Sequence, residues 1–370
     1  MSGEPLPDIR SLSLAEIEAF FKRSGEKSFR ARQVDEWLWR KACRSFGDMT
    51  SLSSAARKCL KENFTFRVLR LEKIQKSKDG TVKAGFLTGN GNPAEGVLIP
   101  SGNRVTACIS SQSGCPLGCS FCATAQLGFL ENLTAGEIFD QVAILSEILQ
   151  QSANSQQQTA GTRHPLSNIV FMGMGEPLLN YENVTRAIEK ITAPVGLNFS
   201  PQRITVSSVG IPKMIRKMAD DGARFHFALS LHAANNAKRD RIVPVNRRYP
   251  VEELTEAMQY YHRITGRRFT IEYILLKDFN DSVQDARELA HFCKNFPVKI
   301  NLIGYNPVRE NELSKAGTGK PVHETGFDAP DKEKINAFKA FLESRNLVVN
   351  LRKSRGRDID AACGQLAGKL

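Results

Sequence analysis

The chain has 370 residues, 41% hydrophobic and 24% charged, a globular composition that excludes wholesale disorder and fits two to three domains or one large α/β barrel. Its 51 Lys and Arg against 39 Asp and Glu give a formal net charge of +12, which points to a polyanionic partner. No stretch approaches the roughly 20 apolar residues of a membrane span, and the N-terminal MSGEPLPDIR lacks the basic and apolar segments of an export signal, so a cytoplasmic location is expected. In a reducing compartment the 8 cysteines are expected as ligands, catalysts or core residues, not as a disulfide framework.

The first part of the chain reads as helical. Ser13-Leu-Ala-Glu16 is a capping box opening an amphipathic run, and Arg32 to Cys43 carries Val34, Trp37 and Leu38 at helical spacing. After Phe64 the pattern shortens to strands, with turn signals at Asp79-Gly80 and Gly89-Asn90-Gly91-Asn92-Pro93. Residues 1–70 are therefore expected to form a helical accessory module, and 71–100 a short β extension. Between residues 22 and 83 lie 17 Lys and Arg against 7 Asp and Glu, a local surplus suited to binding a polyanion.

From residue 101 strand-like runs recur at Arg104–Ser110, Asn168–Met172, Arg203–Ser207, His226–Leu231, Phe269–Leu275 and Val298–Gly304. Helical patterns fill most of the intervals, one of them opened by the capping box Thr134-Ala-Gly-Glu137. Alternation of this kind specifies βα units and a parallel sheet. No Gly-rich dinucleotide turn follows the first strand, so about six units fit a partial (βα)6 barrel over residues 101–345 better than an open sheet. Residues 346–370 form a C-terminal segment. The polar stretch Gln150–Pro165 is expected to be a surface loop and is assigned no function.

Directly after the first barrel strand stands Cys115-Pro-Leu-Gly-Cys119-Ser-Phe-Cys122. Gly114, Pro116 and Gly118 favour a loop from which three thiolates converge, the number that holds a 4Fe-4S cluster while leaving one iron free of protein. The plainer alternatives are a structural zinc site, which would want a second ligand pair, and core cysteines, which would not crowd into a loop. This C-x3-C-x-aromatic-C pattern, with Phe121 as the aromatic, resembles the radical S-adenosylmethionine (SAM) superfamily. The resemblance implies a radical-SAM barrel in which the free iron chelates SAM, and reductive cleavage then yields a 5′-deoxyadenosyl radical. Met172-Gly-Met-Gly175-Glu176-Pro177, ending the second strand, looks like that superfamily's SAM-contacting turn, with Gly175 and Glu176 as cofactor contacts.

Three further features narrow the match. Cys108 lies just upstream of the cluster loop, Cys363 lies in Asp358-Ile-Asp360-Ala-Ala-Cys363-Gly-Gln-Leu, and Glu95 lies in Glu95-Gly-Val-Leu-Ile-Pro100. Together they closely resemble, over nearly the whole chain, the RlmN family, which methylates carbon 2 of an adenosine in 23S rRNA and, in some members, in tRNA. The resemblance implies two SAM per turnover. It makes Cys363 the methyl-accepting thiol, Cys108 the resolving thiol and Glu95 the proton acceptor, and it adds Ser207, Ser230, Leu231, His232 and Asn306 as SAM contacts. It also implies an electron donor such as flavodoxin or ferredoxin. The remaining cysteines, Cys43, Cys59 and Cys293, match nothing and read as core or incidental.

Two more basic clusters suit phosphate: Lys238, Arg239, Arg241, Arg247 and Arg248, and Arg345, Arg352, Lys353, Arg355 and Arg357. The target base must leave its stack to meet a buried radical. Rival readings are a Cfr-type carbon-8 methyltransferase, a non-catalytic iron–sulfur RNA-binding protein, and a radical activase acting on a protein. Nothing signals an oligomer, and a monomer is expected.

Overall fold

A computed structural model of the protein describes residues 6–153, 166–308 and 325–368. The stretch Gln150–Pro165 lies, from residue 154 on, outside the described residues.

The N-terminal helices are α1 (Leu14–Arg23), α2 (Phe29–Asp35) and α3 (Ser54–Asn63). The Ser13–Glu16 capping box forms as expected: Ser13 accepts from the Glu16 amide at 3.3 Å, and the Glu16 carboxylate accepts from the Ser13 amide at 2.6 Å. The helix expected from Arg32 to Cys43 begins earlier and passes into a π turn over Glu36–Arg40, after which Ala42 turns left-handed.

Twelve strands follow among the described residues. β1 (Arg70–Lys76), β2 (Val82–Leu87), β3 (Pro93–Ser101) and β4 (Arg104–Ile109) form an antiparallel meander whose first two turns fall at the Asp79-Gly80 and Gly89–Pro93 signals. β5 (Gln112–Gly114) and β6 (Phe129–Asn132) pair with each other, bracketing α4 (Ala123–Gln126). β7 (Asn168–Phe171), β8 (Ile204–Ser208), β9 (His226–Ser230), β10 (Phe269–Leu275), β11 (Val298–Gly304) and β12 (Val348–Arg352) continue from β4, every neighbouring pair parallel. The intervals hold α5 (Ala135–Ala153), α6 (Tyr181–Thr192), α7 (Pro212–Asp220), α8 (Asn236–Ile242), α9 (Val251–Thr265), α10 (Val283–Cys293) and α11 (Lys332–Glu343).

The six expected barrel strands are all present, and β12 adds a seventh to the parallel run. The order β1-β2-β3-β4-β7-β8-β9-β10-β11-β12 is linear, so β1 and β12 are edges and the barrel is partial. Neither end of the expected barrel core is a break in the sheet: β3 pairs with β4 from Val97↔Cys108 to Ser101↔Arg104, and the C-terminal segment opens on β12. Among the described residues no helix is long and apolar enough to cross a membrane.

One apolar core runs from Ile17, Phe21 and Trp39 in the N-terminal helices to Ile138, Phe139 and Val142 on α5, with Trp39 edge-on to Phe139 at 5.1 Å. Cys43 and Cys293 are buried in this core and Cys59 packs against it, as expected of spare cysteines. A buried ion pair crosses the same junction. Arg10 Nη1 meets Asp140 Oδ1 at 2.7 Å, both side chains 1% exposed, and Asp140 Oδ2 accepts from the Leu69 amide at 3.0 Å. Removing one partner of such a pair leaves an uncompensated buried charge, at about 3–5 kcal/mol. Arg10→Met is expected to lower the unfolding free energy by about that amount in urea denaturation, and a stability equal to that of the unaltered protein would show that the junction rests on apolar packing alone.

Candidate active site

The cluster loop leaves β5 through Gly114, whose φ of +70° and surroundings require glycine: a Cβ there would stand 1.9 Å from the Gly128 carbonyl oxygen. The Cys115 amide donates to that carbonyl at 2.9 Å, pinning the start of the loop, and Cys122 caps the start of α4. Cys115, Cys119 and Cys122 thus line a cavity of about 150 Å³ at the C-terminal ends of the strands. Burial pushes the Cys115 thiol up to about 12 and raises Cys119 and Cys122 as well, with neighbouring cysteine sulfurs adding to the effect. Such thiols ionise when a cationic group takes their charge, the chemistry of an iron–sulfur site. Among the described residues no three His, Cys, Asp or Glu side chains close around a single metal ion. Three soft donors sharing a cavity wall suit a multi-atom cluster better than one ion.

Other lining residues come from strand ends. Gly175 has φ +92°, and a Cβ there would meet the Gln112 side chain at 2.4 Å, so only glycine lets this turn lie against β5. Glu176 lines the cavity with its oxygens held by the amides of Leu178 at 2.9 Å and Val209 at 3.0 Å; burial raises its pKa despite these bonds. Ser207 and Ser230 lie 2.9 Å apart, hydroxyl to hydroxyl. His232, at φ +61°, is buried with Nδ1 accepting from the Ile274 amide at 3.1 Å. Desolvation, reinforced by nearby Arg239, brings its pKa down to about 3. The ring is therefore neutral with its proton on Nε2, and the residue lines the cavity.

Cys363 lines this cavity and also a second one of about 70 Å³, whose walls include Cys108, Cys122, Ile99, Lys353 and Ser354. The two thiols far apart in sequence are thus brought to one cavity, both free. Cys108 is pushed up to about 12, mainly by burial and then by Cys363, with Arg352 acting in the opposite direction. Three expected site residues line neither cavity. Leu231 is core, and its backbone carbonyl accepts from Arg239 Nε at 3.0 Å. Asn306 is turned to the Cys363 carbonyl, its Nδ2 at 3.3 Å. Glu95 is fully buried, pairs with Lys83 at 3.2 Å, and accepts from the amides of Ala367 at 2.8 Å and Gly368 at 3.0 Å.

Sequence reasoning missed Glu272 and misread Arg352. Both line the first cavity and pair at 3.1 Å, and Asn301 Nδ2 donates to Glu272 at 2.8 Å. The register places Ser230, Glu272, Asn301 and Asn350 side by side across β9–β12. A single carboxylate in the apolar run Phe269–Leu275 was the available signal. Burial opposes the charge on Arg352, yet Cys363 and Glu272 more than restore it and raise its pKa. Arg239, expected at phosphate, is fully buried and spent on the Leu231 and Val209 carbonyls and on Asn246. Lys238 is tied to Asp285, Arg355 to the Asp79 carbonyl at 3.2 Å, and Arg357 to Asn306 at 2.8 Å. Spacing alone does not show which cation of a cluster turns inward to meet a carbonyl or carboxylate.

The chain is similar to known proteins over nearly its whole length. Residues 8–66 match the family described as the ribosomal RNA large subunit methyltransferase N-terminal domain, and residues 109–293 match the radical SAM superfamily. A probable dual-specificity RNA methyltransferase RlmN from Christiangramia forsetii is 47% identical, covering 98% of this chain and 96% of its own length. A dual-specificity RNA methyltransferase RlmN from Anaeromyxobacter is 42% identical, with 99% of this chain and 92% of the relative covered. A crystal structure of a radical SAM methyltransferase from Sphaerobacter thermophilus superposes with a TM-score of 0.85 at 37% identity, covering 98% of this chain and 99% of that one.

The His232 geometry carries a pH dependence. The folded ring holds its proton only below about 3, against 6.5 for the free group, so between these values the unfolded chain binds the extra proton. Its contribution to stability is complete above pH 6.5 and falls on acidification at up to about 1.4 kcal/mol per pH unit. His232→Asn retains a residue that tolerates positive φ. The stability gap between the unaltered protein and this variant should narrow as pH falls below 6.5 in chemical denaturation of the cluster-free protein, and a gap that stays constant with pH would contradict the neutral-ring assignment.

Proposed function

Because the chain belongs to the RlmN family of radical SAM RNA methyltransferases, we propose that it methylates carbon 2 of an adenosine in 23S rRNA, and in tRNA as well, through a methylated Cys363. The enzyme class and its cofactors, a 4Fe-4S cluster and SAM, follow from family membership. The position of the methyl, the cysteine intermediate and the use of two SAM per turnover are our reading. The observation that supports it most is that Cys363 lines two cavities, the first together with Cys115, Cys119 and Cys122 and the second together with Cys122 and Cys108.

Carbon 2 of adenine is electron-poor and cannot displace the methyl of a sulfonium, so the methyl must be delivered as a carbon radical. When bound, the cofactors supply the methyl group and, from a second SAM, a 5′-deoxyadenosyl radical. Of the residues that line the first cavity, Cys115, Cys119 and Cys122 would hold the cluster, and Gly175, Glu176, Ser207, Ser230 and His232 would contact SAM. Leu231 and Asn306 would contribute by backbone and by orientation, since neither side chain lines the cavity. The Cys363 thiolate takes the methyl; the methylthioether carbon gives up a hydrogen atom to the 5′-deoxyadenosyl radical and joins the base, and the adduct then loses its carbon-2 proton and one electron, which the cluster would accept. The Cys108 thiolate then attacks the Cys363 sulfur. The S–C bond to the methylene bridge breaks, its electron pair goes to the departing carbon, and a Cys108–Cys363 disulfide remains. Arg352, which lines both cavities, opposes the upward push of burial on the Cys108 thiol. Glu95 is our candidate for the base that removes the carbon-2 proton. To reach a nucleotide its carboxylate must first release the Ala367 and Gly368 amides.

The exposed Lys22, Arg23, Lys27, Arg32, Lys58 and Lys61 make the N-terminal module the RNA grip, and Lys353 stands at the second cavity for a phosphate of the flipped nucleotide. A reduced flavodoxin or ferredoxin as electron donor, action as a monomer and a cytoplasmic location complete the reading.

With enzyme reconstituted anaerobically, SAM, reductant and an rRNA fragment, nucleoside mass spectrometry is expected to show 2-methyladenosine, whereas 8-methyladenosine would overturn the carbon assignment. Cys363→Ala should yield no methylated RNA. Cys108→Ala should instead accumulate a covalent protein–RNA adduct, visible as a gel shift that resists denaturation.

A further inference from the structure

The last described stretch, residues 355–368, holds one short 3-10 turn over Arg357–Ile359 and otherwise depends on its surroundings for its path. Its attachments fall into three groups. At the β1–β2 turn, the Asp79 carboxylate accepts from the Gly356 amide at 2.9 Å, and the Ser77 hydroxyl donates to Asp358 at 2.5 Å. At the cluster loop, the Ala123 amide donates to the Gly364 carbonyl at 2.8 Å, and the Thr124 hydroxyl to the Leu366 carbonyl at 2.6 Å. The third group is a charge pair inside the β extension. Lys83 on β2 and Glu95 on β3 meet at 3.2 Å with side chains 3% and 0% exposed. Lys83 Nζ approaches the Asp360 carbonyl at 3.4 Å, while Glu95 Oε2 takes the amides of Ala367 and Gly368.

A buried ion pair in a small meander is poor stabilisation, because desolvation offsets most of its attraction. This pair also leaves Glu95 Oε1 without a directed hydrogen bond. What it does accomplish is geometric: one partner reaches the chain before Cys363 and the other the chain after it. We propose that the Lys83–Glu95 pair is a clamp that seats the Cys363 segment, and that Lys83 is a positioning residue for methyl transfer to that thiol. The inference rests on the reading that Cys363 accepts the methyl. It also makes release of the segment and uncovering of the Glu95 carboxylate a single event, since the same amides would have to leave.

The test uses full-length reconstituted enzyme without RNA and follows the single-turnover mass gain of one methyl group on Cys363 by peptide mass spectrometry. Lys83→Met should slow that step about tenfold to a hundredfold, the scale expected of a misplaced reacting group. Lys83→Arg should restore most of the rate, while SAM affinity and the cluster absorption spectrum stay unchanged. Amide exchange at Ala367 and Gly368 should quicken in Lys83→Met. Methylation at the unaltered rate, or loss of SAM binding and cluster in step with methylation, overturns the clamp. Should Lys83→Met not fold, Lys83→Gln, which keeps a polar group beside Glu95, reads the same pair: faster exchange at Ala367 and Gly368 with slower methylation supports the clamp, and no change in either overturns it. If the unaltered enzyme leaves Cys363 unmethylated, the underlying reading fails, while the exchange measurement still decides whether the segment is clamped.

Discussion

A chain end with almost no regular structure has to hold one sulfur beside two different cavities. Neither a helix nor a strand fixes Cys363. Its position is the resultant of hydrogen bonds from elements distant in sequence: the β1–β2 turn, the β2–β3 charge pair, the start of α4 and the end of β11. The cluster loop and the Cys363 segment are bound to each other directly through Ala123 and Thr124. The group that would be held by Cys122 and the thiol that would serve it are therefore positioned by the same few residues. On this view the β extension is not an appendage. It is the side of the site that faces the chain terminus, joined to the barrel by continuous antiparallel pairing through β3 and β4.

Charge inside the site is arranged around the same need. Burial alone keeps the thiols protonated, as Cys108 and Cys115, both pushed up to about 12, illustrate. Chemistry at sulfur then requires fixed positive charge close by. Arg352 supplies it from β12, and Glu272 with Asn301 fixes where the guanidinium points. Arg239 plays a different part: with its guanidinium spent on the Leu231 and Val209 carbonyls and on Asn246, it ties together the ends of β8 and β9 on which Ser207, Ser230 and His232 are mounted. It also helps keep His232 neutral.

Much of this was legible in the sequence because local rules sufficed. Apolar runs bounded by turn residues located the six barrel strands. The Ser13–Glu16 and Thr134–Glu137 boxes marked helix starts that form as written, the second with the Thr134 amide 2.9 Å from Glu137. The cysteine loop announced its own chemistry. What was not legible depends on partners that only the fold selects. β12 reads as a short run in a charged stretch and becomes a strand because β11 offers a free parallel edge. Arg239 and Arg352 stand in basic clusters that look uniformly solvated, and each is drawn inward by acceptors from other elements. Glu95 was legible as a motif residue, but its placement under the C-terminal segment was not, because Ala367 and Gly368 approach it only in three dimensions.

The division of cations also bears on how RNA would be held. Once the inward-facing residues are removed, the cluster after β9 keeps Arg241, Arg247 and Arg248 at the surface, and Arg241 is already stacked on Phe279 at 4.8 Å. The cluster before Cys363 keeps chiefly Arg345 and Lys353, since Arg355 and Arg357 are engaged with Asp79 and Asn306. The N-terminal region loses a smaller share: Arg30 is paired with Glu26, Arg44 with Glu147, Arg57 with the Gly47 carbonyl, Arg67 with Glu131 and Glu137, and Lys83 with Glu95, while most of the others stay exposed. Phosphate affinity scales with the number of cations free to neutralise it. On the proposed reading, the few free cations near the site would orient the target nucleotide, and the larger number on the N-terminal module would supply most of the affinity for a long RNA.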